Sequence, residues 1–243
     1  DITPSMAYGH STVLDQLLAD FTDVHIISGH THNNTTMKIR NGLMEHNTGG
    51  SCATWWWTGY YSNGHICKDG APGGMGVYEF RDTDLEWYYK GYGEPRDFQL
   101  RTYDMNNVKT FFANNSVIRN MIRYYPDRND YANVGNNVVY INVWGWDPEW
   151  KVSVKENGVE LNPTRVYMKD PLHTYAYDAT RVYKNSNNTY TEVLTSSNNY
   201  HLFAANASSA TSTLTIEVTD RFGNKYTETM SRPKEFAAQI ENL

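Results

Sequence analysis

The spacing of apolar positions changes along the chain, and the change divides it. Between residues 12 and 21, Val13, Leu14, Leu17, Leu18 and Phe21 fall on one stripe at helical spacing, which predicts an amphipathic helix. Val24-His25-Ile26-Ile27-Ser28 then reads as a short buried strand, ended by Gly29. Helix followed by buried strand is the pattern of a sheet whose functional loops lie at the carboxyl ends of its strands. Beyond it the apolar runs are brief, and Gly, Asn and Asp turns divide them. Residues 37–40, 43–47, 52–57, 76–80 and 85–90 predict strands, and Asp69-Gly70-Ala71-Pro72-Gly73-Gly74 predicts a loop. Residues 1–95 read as one unit and 96–107 as a connector.

The remainder reads as almost wholly β. Residues 138–144 are strongly β-forming, and 150–156 end in a turn at Asn157-Gly158. Leu214, Ile216 and Val218 alternate with Thr213, Thr215 and Glu217. A turn through Phe222-Gly223-Asn224 then leads into 226–230, which together predict a hairpin. Short strands at this spacing predict a β-sandwich over 96–243. The expected class is therefore α+β, an α/β part followed by an all-β domain.

Composition agrees with this pattern and narrows the partners. The 243 residues are 40% hydrophobic and 14% aromatic, with 19 Tyr and 7 Trp, which favours β-rich structure. The net charge of −6, without a Lys/Arg block, removes the electrostatic footprint of a nucleic-acid binder. No apolar run approaches the roughly 20 residues of a membrane-spanning helix, and the first residues lack the pattern of a secretory signal. Cys52 and Cys67 fit neither a zinc ribbon nor a redox pair. They are read either as a disulfide or as two buried thiols.

The chemistry concentrates in Gly29-His30-Thr31-His32. If the segment is extended, His30 and His32 project to one side and Thr31 to the other. Gly29 would let the backbone turn close to a ligand. Two imidazoles at a strand end suit a borderline metal such as zinc, iron or manganese. The alternative is a pair of histidines in a polar loop.

Residues 24–32, through Gly29-His30-Thr31-His32, resemble the final signature of calcineurin-like metallophosphoesterases. Glu45-His46-Asn47-Thr48-Gly49-Gly50, Trp55-Trp56-Trp57, Asp69-Gly70-Ala71-Pro72-Gly73 and Trp87-Tyr88-Tyr89-Lys90 resemble a bacterial subfamily of these enzymes. The run from Asn142 to Val152, with Trp144, Trp146 and Trp150, is similar to part of that subfamily's β-rich C-terminal domain. The resemblance implies a truncated C-terminal part of the catalytic α/β sandwich over 1–95, followed by the β domain. It implies a phosphomonoester or phosphodiester substrate and a centre of two metal ions (Mn, Fe or Zn) that activate water. It further implies metal ligation by His30 and His32, a supporting catalytic role for His46, and a periplasmic or secreted location.

The same resemblance demands carboxylates, which the family supplies from Asp-x-His, Gly-Asp-x-x-Asp and Gly-Asn-His segments. This chain has no Gly-Asp dipeptide and no Gly-Asn-His. Its one Asp-x-His, Asp23-Val24-His25, begins the strand that ends at Gly29, roughly 15–20 Å from His30 at ~3.3 Å per residue. It is read as a surface turn. The remaining ligands are thus expected from an N-terminal part of the catalytic domain, and the fragment alone is expected to be inactive. His10 reads as a plain turn residue, and Asn33 and Asn34 as loop residues or phosphate donors. Trp144, Trp146 and Trp150 read as core residues. A rival reading uses them as stacking platforms of a non-catalytic module that binds glycan or cell-surface material.

Overall fold

A computed structural model describes residues 12–51, 65–128, 130–184 and 196–236. The predicted run 52–57, with Cys52 and all three consecutive tryptophans, and His10 lie outside them. Helix α1 spans Thr12–Leu17 and β1 spans Val24–Ser28. Strands β2 (Thr35–Arg40) and β3 (Leu43–Asn47) form a hairpin, and β3 also pairs in parallel with β1. The sheet order is therefore β1-β3-β2, with β3 buried along its whole length. A separate hairpin, β4 (Gly74–Arg81) and β5 (Asp84–Gly91), lays Trp87 and Tyr78 against His46 of β3. The helix is shorter than its stripe predicts. Val13 and Leu17 of α1 and Phe21 beyond it are 65%, 67% and 61% exposed, while Leu14 and Leu18 of the same stripe are half-buried.

The segment read as a connector is largely a strand, β6 (Leu100–Asp104), every residue of it buried. It pairs with β7 (Val138–Val143) in a sheet ordered β10-β11-β7-β6, where β10 is Thr164–Lys169 and β11 is Asn198–Asn206. A second sheet contains β8 (Lys151–Glu156), β9 (Val159–Glu160), β12 (Leu214–Thr219) and β13 (Lys225–Met230). Period-two alternation explains how they face each other. Val139, Ile141 and Val143 of β7 and Phe203 and Ala205 of β11 share one core with Val154, Leu214, Ile216, Val218, Tyr226 and Met230 of the opposite sheet. The predicted hairpin is present as β12–β13, and Asp220 caps its turn through the amides of Phe222 and Asn224. Asn157 and Gly158 both take positive φ, as a tight two-residue turn between β8 and β9 requires.

The mixed α+β class and the sandwich hold, but the C-terminal part is not all-β. Helices α2 (Met105–Asn114) and α3 (Ser116–Tyr124) cover the outer face of the first sheet. So does a third helical stretch, made of α4 (Pro171–His173), π-helical Thr174–Ala179 and α5 (Thr180–Lys184). Their shared core joins Phe112, Ile118, Met121, Leu172 and Ala176 to Tyr103, Tyr140 and Leu202 of the strands. Asp104 and Asn115 cap α2 and α3 through their side chains. Among the described residues, no helix is long and apolar enough to cross a membrane.

Candidate metal-binding loop

The loop 29–34 leaves the carboxyl end of β1 and returns as β2, passing over the end of β3, which is parallel to β1. It is not extended. His30 and His32 both take positive φ, 77° and 57°, in the left-handed region that non-glycine residues rarely occupy. Such backbone persists only where its surroundings fix it, and it clusters at ligand clamps. Gly29, expected to let the backbone turn close to a ligand, has open space where its Cβ would lie.

The floor of the loop is built from the end of β3. Asn47 donates from Nδ2 to Ser28 Oγ (2.9 Å) and to the Gly29 carbonyl (3.1 Å), while its Oδ1 accepts from Thr31 Oγ1. Ser28 Oγ in turn donates to Glu45 Oε1 at 2.8 Å. Thr31 is thereby drawn downward between the two histidines. Asn34 is buried, and its Oδ1 accepts the Gly49 amide at 2.8 Å, so it braces the loop. A Cβ at Gly50 would lie 2.7 Å from His32 Nδ1, so the glycine makes room for that ring. The pKa of His32 is lowered by partial burial, then by Lys68 and then by His30. Its imidazole is consequently neutral at neutral pH, the form that ligates metals.

His46 sits elsewhere. Its ring is 1% exposed and stacks on His25, with Nε2 2.8 Å from His25 Nδ1. Trp87 and Tyr78 meet it edge-on. Burial first, then the neighbouring His25 and Arg221, push its pKa down to about 3. Residues 23–25, read as a surface turn, thus enter the fold through His25, whose Nε2 lies 3.2 Å from Asp23. Among the described residues, no three His, Cys, Asp or Glu side chains stand close enough to hold a metal ion. What the loop offers is two imidazole donors in a backbone shape fixed from below. These donors fit one side of a metal centre.

Sequence reasoning missed the second support of the loop. Residues 67–73 run beneath it, with Lys68 N donating to the His32 carbonyl (3.3 Å) and the Asn34 amide donating to Asp69 Oδ2. Cys67 is a buried free thiol near Tyr89 Oη and the Gly50 carbonyl, and burial raises its pKa.

Residues 45–226 match the model described as the C terminal of calcineurin-like phosphoesterase. The chain belongs to that family. Neither curated proteins nor solved structures gave a match. Membership makes the function phosphoesterase-related at the level of the family. The matched stretch starts at Glu45 in β3, so it takes in the floor of the loop and the 67–73 support but not His30 or His32 themselves.

Proposed function

We propose that this chain is the C-terminal part of a metal-dependent phosphoesterase and that His30 and His32 are metal ligands of its catalytic centre. The observation that carries the reading is the pair of left-handed histidines at a strand end, braced by Asn47 and Asn34. When bound, a pair of Mn, Fe or Zn ions would activate water and neutralise charge on a phosphomonoester or phosphodiester. The chain's own residues do the remaining work. His30 and His32 present imidazole donors, that of His32 held neutral by partial burial, Asn47 fixes the carbonyl of Gly29, and Gly50 leaves space for the His32 ring. The other ligands belong to an N-terminal part of the catalytic domain, and the chain alone is inactive. Location in the periplasm or outside the cell is part of this reading by family resemblance. His46, packed against His25 and Trp87, is assigned to the frame and not to the chemistry.

Among the described residues, the three tryptophans of the glycan-binding alternative pack against protein. Trp144 and Trp150 are 1% and 6% exposed, and Arg165 lies over the Trp146 ring at 4.7 Å, so these faces are occupied by protein. Turnover of 4-nitrophenyl phosphate and of the bis-ester with added Mn²⁺ or Zn²⁺ tests the proposal. The chain should match a His30→Ala/His32→Ala control, and a chain extended through the upstream carboxylates should turn over only with both histidines. Turnover by the extended chain that survives loss of both histidines contradicts the assignment.

A further inference from the structure

Asp69 lies at the crossing of two sets of bonds. On one side it holds the metal-binding loop: Oδ2 accepts the Asn34 amide, two residues after His32, and the neighbouring Lys68 amide reaches the His32 carbonyl. On the other it is gripped by the first sandwich sheet. Its carbonyl accepts Asn142 Nδ2 and Asn199 Nδ2, the latter at 2.8 Å, and its Oδ2 lies 3.2 Å from His201 Nε2. His201 Nδ1 contacts Asn142 Oδ1 at 2.8 Å, and Asn142 also donates to Asp170 Oδ2 at 2.9 Å. Arg101 of β6 donates to the Gly70 carbonyl. All of these side chains are buried in a region where unpaired polar groups are expensive, so the network holds together as a unit.

The chain departs from regular geometry to make this grip. Between Asn199 and Leu202, β11 carries one residue more than the facing stretch of β10, because Leu202 pairs with Val166 but Asn199 pairs with Met168. Such a bulge re-aims a side chain. Here it turns His201 to the face that carries Asn199 and away from the sandwich core. Gly70 takes φ +83°, and a Cβ there would lie 2.1 Å from the Asp170 carboxyl carbon.

We infer that Asp69 is a positioning residue through which the C-terminal sandwich sets the geometry of the His30–His32 loop. The inference rests on the metal reading for its catalytic meaning, but the mechanical coupling can be measured without metal. Amide exchange at His32, Asn33 and Asn34 is followed by NMR in the wild-type chain, in Asp69→Asn and in Val154→Ala. The last change lowers stability from the sandwich core, where Val154 is fully buried. Loss of one charge-assisted buried bond should speed exchange at these amides by about tenfold beyond the Val154→Ala control. Amides of β12 should follow the control. Asn199→Ala touches no residue of the loop, and it should move the same amides in the same direction by a smaller factor, which keeps the test open if Asp69→Asn does not fold. Exchange at 32–34 that merely tracks global stability in both variants overturns the coupling. Zinc titration supplies the second arm. Binding that requires His30 and His32 and weakens severalfold in Asp69→Asn supports positioning, while binding that requires them but ignores Asp69 overturns it. Zinc binding indifferent to both histidines defeats the metal reading, and the exchange arm still decides the coupling.

Discussion

Acidification should destabilise this protein well above the carboxylate range, and two histidines set the size of the effect. His46 is held neutral by burial and by the nearby His25 and Arg221, with its pKa near 3. His173, fully buried and bonded to Ser196 Oγ, is likewise pushed to about 3, chiefly by burial. An unfolded histidine titrates near 6.5. The folded pKa is the lower one, so the unfolded state binds more protons. Stability is fully present above about pH 6.5 and is lost as the pH falls toward about 3. At ~1.4 kcal/mol per pH unit, going from pH 7 to pH 5 removes roughly 2 kcal/mol for each histidine, or about 4 kcal/mol together. That is a large share of the 5–15 kcal/mol that stabilises an ordinary domain. Asp69, whose pKa is lowered despite burial by His201 and by the Asn34 and Ala71 amides, adds its loss only below about pH 4. Asp170, raised by burial, acts in the opposite sense. Urea unfolding at pH 5, 6 and 7 and fixed ionic strength separates these contributions when wild type is compared with His46→Gln. The variant should be less stable at pH 7 but should lose about 2 kcal/mol less on going to pH 5. Parallel losses in the two proteins would refute the assignment of His46 as a buried neutral residue.

Other outcomes follow from single contacts. Gly70→Ala combines a left-handed backbone with a clash against Asp170, and it should lower stability by about 3 kcal/mol or more, read as a fall in Tm. Asp104→Ala strands the fully buried guanidinium of Arg232, which Asp104 engages through both carboxylate oxygens. Breaking a buried pair in this way costs about 3–5 kcal/mol in urea unfolding. Asn47→Ala removes the bonds to Ser28 and Gly29. It should raise amide exchange across 28–31 while shifting Tm by only a few degrees.

The strands were legible because their signal is local. Alternation in 214–218 and the β-forming run 138–144 gave β12 and β7, and Asn157-Gly158 and Phe222-Gly223-Asn224 marked turns that the structure places at those positions. The helical layer was not, because α2 and α3 draw their stability from packing on the sheet and α2 is interrupted by polar Asn and Thr. β6 was missed since Leu100-Arg101-Thr102-Tyr103-Asp104 carries charges at both faces. Arg101 and Asp104 are buried only because Gly70 and Arg232 meet them. At the site, the sequence pointed to His30 and His32, but by a geometry that does not occur. His30 and His32 take left-handed backbone and not the extended form that strand alternation assumes. The supporting role of Asn47 and Asp69 left no local pattern, because the bonds through which they brace the loop join residues 16–35 apart and Asp69 meets His201 across 132 residues.

The claim that His30 and His32 form one side of a metal centre can be put to a direct measurement. Zn²⁺ is titrated into the chain at neutral pH while the Cε1–H resonance of every histidine is followed by NMR. The account predicts that His30 and His32 shift together in one saturable process, that buried His46, His173 and His201 do not respond, and that His30→Ala/His32→Ala abolishes the process. Independent or absent responses at His30 and His32, or a saturable response that survives their replacement, would contradict it.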